Sequence, residues 1–190
     1  MIGLVIFHCS FTMAFNALLP RLATDLGGAS STFSAIVMGV GAGAIFGTLA
    51  ISMVRDHALQ GRVFIVVGLG SGLAMIIMGT ANSPLMAVVG AVMAGATQAT
   101  YMAISQALVQ DIVPDTFRGR AMAIYTMMAA GHMAWINLGF GGFADSIGVR
   151  TLMVVPALMW MGIFILALFM LSDLQRLLGR ERSLFVESHV

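Results

Sequence analysis

The chain has 190 residues, 59% hydrophobic and 9% charged, and its nine basic residues, all arginine, are set against eight acidic ones. An average soluble domain carries about 25% charged residues, so this inventory cannot make a water-facing surface. The net charge of +1 gives no basic field, which argues against nucleic acid, and one cysteine, Cys9, excludes a disulfide framework or a multi-cysteine metal site.

A bilayer's hydrocarbon is crossed by about 20 mostly apolar residues. Six such runs occur, at approximately 1–19, 33–54, 63–80, 85–109, 121–143 and 151–171, and every charged residue falls between or after them. Met1 to Phe7 lacks a basic leader and a small-residue cleavage site, and Phe7 and His8 do not suit a lipoprotein signal before Cys9, so this stretch reads as a retained membrane helix. The separators carry breakers: Pro20 with Gly27 and Gly28, then Gly61, Asn82-Ser83-Pro84, Pro114 with Gly119, and Gly148. Barrel strands are excluded, because the runs lack an apolar and polar alternation. Residues 1–171 are therefore expected to form an all-α, six-helix transmembrane bundle, with 172–190 as a tail.

Arginines in short loops stay cytoplasmic. Arg55 and Arg62, Arg118 and Arg120, and Arg176, Arg180 and Arg182 outnumber Arg21 and Arg150, which places both termini inside a plasma (inner) membrane. The tail either lies along the inner membrane surface or is disordered.

Polar side chains avoid lipid and face a bundle interior or a wet cavity. The third and sixth runs hold little beyond Ser71 and Trp160 and read as lipid-facing. The first carries His8, Thr12 and Asn16 within one third of its circumference; the fourth carries Gln98, Tyr101 and Ser105 on one stripe; the fifth carries Tyr125, His132 and Trp135. Each serine or threonine alone reads as interhelical glue, whereas the combined stripes point to a substrate path. No Asp, Glu or Arg lies in any run, which leaves His8 and His132 as titratable candidates, read as neutral hydrogen-bonding rings rather than proton carriers. In the second run Gly39, Gly43 and Gly47 recur at four-residue spacing, a close-packing seam expected to face a helix outside this chain.

Two connections match each other. Arg55-Asp56 with Gly61-Arg62 follows the second run, and Gly141 to Arg150, including Asp145, follows the fifth, which suggests three plus three helices as an inverted repeat. Gln106 to Met122, with Pro114, Arg118, Gly119 and Arg120, resembles the "P-x-x-x-R-G-R" connection of major facilitator superfamily exporters, the branch that includes siderophore and drug efflux proteins. Gly141 to Arg150 is similar to that family's "G-x-x-x-D-x-x-G-x-R" turn. The second connection departs from the family loop, since Ser52 stands where glycine is usual.

The resemblance covers nearly the whole chain and implies the carboxyl-terminal six-helix half of a transporter. Alternating access would then move a small molecule, in the efflux direction, with the first, second, fourth and fifth helices around the path and Gly39, Gly43 and Gly47 packing half against half. Arg55, Asp56, Arg62, Asp111, Arg118, Arg120, Asp145 and Arg150 are the gate and loop candidates. The partners implied are the lipid bilayer, a small-molecule substrate and either an amino-terminal half or a second copy of the chain; no cofactor and no metal are implied.

An intramembrane protease and a mitochondrial-type carrier both fail as readings. Ser71 has Leu69 where a rhomboid-like serine motif needs glycine, and Pro114 to Arg118 does not fit a mitochondrial-type carrier signature. The alternative is a truncated or partner-binding membrane bundle without transport activity.

Overall fold

The first span is not one continuous helix. The computed structural model describes residues 2–170, and α1 (Ile2–His8) passes into a π-helical stretch, Cys9–Met13, then a 3₁₀ turn, Asn16–Leu18, before α2 (Leu19–Asp25). Ala14, at φ −83° and ψ 47°, marks where the backbone leaves helical space. Pro20 sits in the first turn of α2, where its missing N–H has no helical acceptor to lose. The remaining helices are α3 (Ala29–Ser52), α4 (His57–Gly79), α5 (Pro84–Ile112), α6 (Asp115–Ile147) and α7 (Val149–Met170), with no strand among the described residues.

Local chemistry fixes the helix ends. Ser83 has extended backbone before Pro84, and its hydroxyl accepts the Met86 N–H at 3.3 Å, capping α5. Gly148 ends α6 at φ 90°, a region that favours glycine, and donates its N–H to the Ala144 carbonyl at 3.1 Å.

Five helical segments, Gly3–Asp25, Ala29–Ser52, Leu59–Gly79, Pro84–Ile112 and Val149–Phe169, are long and apolar enough to cross a membrane, so the chain is an all-helical, multi-pass membrane protein. The 33-residue α6 has the length but falls short in apolarity, diluted by Tyr125, Thr126, His132, Trp135 and Asn137. Leu171, the last residue of the expected sixth run, and the arginines Arg176, Arg180 and Arg182 lie outside the described residues.

α5 is the axis of the packing, flanked by α3 and α4, while α7 packs on α4. The glycine row of α3 is what allows the first contact. A Cβ at Gly43 would overlap the Val92 carbonyl of α5, one at Gly47 the Ala96 carbonyl, and one at Gly95 of α5 the Val40 carbonyl of α3. Gly39, Gly43 and Gly47 therefore pack inside the chain, which corrects the expectation that they face a helix outside it. The reason is reciprocal: α5 supplies its own glycine and alanines for the same backbone approach. Outward, α3 shows large apolar groups instead, among them Met38, Ile45, Phe46 and Leu49.

The third and sixth spans need a similar correction. α4 buries Phe64, Ser71, Met75 and Met78, and α7 buries Met153, Trp160 and Phe164, while only their opposite faces, with Val66, Leu158 and Leu166, are exposed. Aromatic rings and thioethers carry that burial, which a count of polar groups does not register.

Buried side chains form two clusters. One gathers Phe15, Leu18, Leu22, Ile36, Met78 and Met153; the other gathers Val5, Cys9, Phe64, Tyr101, Tyr125, Trp160 and Phe164. Arg21 of α2 meets Asp145 of α6 at 2.9 Å and Asp25 at 3.6 Å, so the first and fifth connections share one end of the bundle. Arg118 pairs with Asp115 at 2.7 Å at the other end of α6.

Candidate functional site

Where α1 gives way to the π-helical stretch, the backbone loses regular carbonyl partners, and α5 supplies one. Gln98 Nε2 donates to the Thr12 carbonyl at 2.6 Å, and the Thr12 hydroxyl donates to the His8 carbonyl at 2.8 Å. All three side chains are buried. A buried amide on a backbone acceptor fixes the break in place, since an unpaired carbonyl there costs about 1–3 kcal/mol.

His8 sits in an aromatic cage. Its ring stacks on Tyr101 at 3.9 Å and meets Trp160 edge-on at 4.9 Å, and Tyr101 stacks in turn on Phe64 at 4.5 Å. His8 Nε2 lies 3.1 Å from Ser71 Oγ. The Ser71 hydroxyl donates to the Gly68 carbonyl at 2.9 Å, so it accepts from His8; Nε2 then carries the ring hydrogen and Nδ1 a lone pair. Trp160 Nε1 donates to the same carbonyl at 2.7 Å. His8 Nδ1 and the Tyr101 hydroxyl are buried without a hydrogen-bond partner among the described residues.

A second pair ties α5 to α6. The Ser105 hydroxyl donates to the Met102 carbonyl at 3.0 Å and lies 2.8 Å from the Tyr125 hydroxyl, whose oxygen is also 3.6 Å from Met102 Sδ. Beside this pair, between the π-helical stretch, α5 and α6, lies a cavity of about 160 Å³. Its walls include Cys9, Met13, Met102 and Met133, with Tyr125, Gln106 and Thr126 as the polar groups, and among the described residues no charged one lines it.

Of the residues singled out as path candidates, His8, Thr12, Gln98, Tyr101, Ser105 and Tyr125 are buried and adjoin one another. Asn16 is exposed, His132 is exposed and pairs through Nδ1 with the Met128 carbonyl of its own helix at 2.9 Å, and Trp135 is 75% exposed. Asn137 does connect elements: its Oδ1 accepts the Ala17 N–H at 3.1 Å, holding the broken first span to α6.

Among the gate candidates, Arg118 is held locally by Asp115 and by the Gln110 carbonyl at 3.1 Å, and Asp145 by Arg21. Arg55, Arg62 and Arg120 are exposed, and Arg150 is half-buried.

Cavity residues outside the path candidates are Cys9, Met13, Met102, Gln106 and Met133, and the cage adds Ser71 and Trp160 from the two runs read as lipid-facing. The methionines had one advance signal, composition, 17 in 190 residues.

A family model described as transmembrane secretion effector, of the major facilitator type, matches residues 1–187. No curated protein and no solved structure matches the chain.

Proposed function

The chain belongs to the transmembrane secretion effector family, a family of membrane transporters, and on that premise we propose that it exports a small uncharged molecule by alternating access. The observation that carries this reading is the charge-free cavity between the first span, α5 and α6, set against a helix broken at the same depth. In secondary transporters, interrupted helices mark the binding site, because unwound backbone supplies polar groups where lipid cannot.

In this reading α6 also crosses the membrane, as the fifth of six spans, both termini lie in the cytoplasm of an inner-membrane protein, and the chain is one 3+3 half that works with a second half or a second copy of itself. The matching connections at Arg55 to Arg62 and Gly141 to Arg150 support the repeat, and the run Gln106 to Met122 supports the siderophore and drug exporter branch. Gln98, Tyr101, Ser105 and Tyr125, with His8 and Thr12, contribute hydrogen-bonding and aromatic contacts to the path. His132 and Trp135, on the outward face of α6, are assigned to contact with the second half. Arg55, Asp56, Arg62, Asp111, Arg118, Arg120, Asp145 and Arg150 make and break pairs at the two ends; exposed pairs are worth about 0–1 kcal/mol each, enough to bias such a cycle without locking it.

Proteoliposomes carrying the chain should release a neutral lipophilic dye faster than empty ones. Gln98→Ala and Tyr125→Phe should each slow release by about tenfold, the effect of a change near 1.4 kcal/mol. Equal rates for both variants and the parent would remove the cavity from the path.

A further inference from the structure

We propose that the cavity beside the broken first span binds a soft monovalent metal ion, Cu(I) or Ag(I), through the Cys9 thiolate and the thioethers of Met13 and Met102. Cys9 Sγ is 3.9 Å from Met13 Sδ and 3.9 Å from Met102 Sδ, and Met133 adds a third thioether to the same walls. A metal–sulfur bond of about 2.3 Å sets the sulfurs of a trigonal site about 4 Å apart, so an ion can seat against Cys9 and either thioether with little movement of the helices.

Ligand chemistry selects the class of ion. Thiolate and thioether donors favour Cu(I), and its congener Ag(I), over hard cations. The walls offer no carboxylate and no imidazole, and no group of three His, Cys, Asp or Glu able to hold a metal occurs among the described residues. Zinc, calcium and magnesium therefore lack a ligand set here.

Charge selects monovalency. On binding, the Cys9 S–H bond breaks, a sulfur–metal bond forms, and the proton leaves to water; the thioethers donate lone pairs and nothing is oxidised or reduced. A monovalent ion thus replaces the proton and the pocket stays neutral. A divalent ion would leave one uncompensated positive charge at membrane depth, where no opposite charge lines the walls.

The frame suits the task. Cys9 and Met13 stand at the two ends of the π-helical stretch, and Met102 Sδ lies 3.6 Å from the Tyr125 hydroxyl oxygen. The cavity of about 160 Å³ next to the sulfurs provides the approach. The inference concerns binding and does not depend on the transport reading, so either can fail alone.

The test uses the full chain in detergent micelles, titrated with Ag(I) in chloride-free buffer. One ion should bind per chain with release of one proton. Cys9→Ser should abolish that event, and Met102→Leu should weaken it by at least tenfold. Met127→Leu, at an exposed methionine on α6, should leave it unchanged. The Cu(I)-loaded chain should show a sulfur-only shell at about 2.3 Å in X-ray absorption. Met102→Leu conserves volume, so it keeps the test valid if Cys9→Ser fails to fold. Absence of binding by the folded parent, or equal binding by the parent and both ligand variants, would overturn the proposal.

Discussion

The two faces of α5 do opposite things. Toward α3 it offers Val92, Gly95 and Ala96 to a row of glycines, and backbone meets backbone with no room for a Cβ. Toward the first span and α6 it offers Gln98, Tyr101, Met102 and Ser105, whose side chains hold a broken helix and edge a cavity. One face is a rigid seam that adding a single methyl group disturbs; the other is built from side-chain hydrogen bonds and flexible thioethers that can rearrange. The close-packed seam and the proposed path thus lie on different sides of one helix.

The largest expected effect falls on the seam. Gly43→Leu should cost about 3 kcal/mol or more, because the obstacle is the Val92 carbonyl of α5 rather than a movable side chain. Gly41→Leu on the same helix meets nothing within 4 Å and should leave thermal unfolding, followed by helical circular dichroism, unchanged. Equal losses in both would erase the distinction between the seam and the lipid-facing side of α3.

On the other face, Gln98→Ala should cost about 1–3 kcal/mol by leaving the Thr12 carbonyl unpaired, and hydrogen exchange should rise at residues 9–18 before it rises in α3. Tyr125→Phe keeps the ring and loses the Ser105 bond, for a stability change of about 0.6 kcal/mol, the average for polar contacts between membrane helices. Smallest is Arg21→Ala: its pair with Asp145 is exposed at both ends, so a loss below about 1 kcal/mol, shrinking further in salt, is expected from the unfolding midpoint.

How legible this was depended on what each signal measures. Long uncharged runs located the helices because hydrocarbon imposes that length, and the stripe Gln98, Tyr101 and Ser105 was visible because one helix fixes its own angular spacing. Glycine spacing announced a close approach at Gly39, Gly43 and Gly47 but not the partner, which is set by Gly95 and Ala96 fifty residues away. The break after His8 left no trace, since no glycine or proline lies in residues 4–19. It is held by Gln98 and Asn137 from other helices, a tertiary cause. His132 and Trp135 share a helix with Tyr125, yet they point outward, because α6 touches the bundle along a narrow strip.

Cys9, the chain's single cysteine, borders the cavity through which the proposed function routes its cargo, so modifying that one thiol probes the route. Membrane vesicles should be treated with N-ethylmaleimide, an uncharged thiol reagent, and then assayed for release of the neutral dye. Alkylating Cys9 is expected to stop release, while Cys9→Ala continues to transport and ignores the reagent. Full-rate release from protein whose Cys9 is completely alkylated would contradict it.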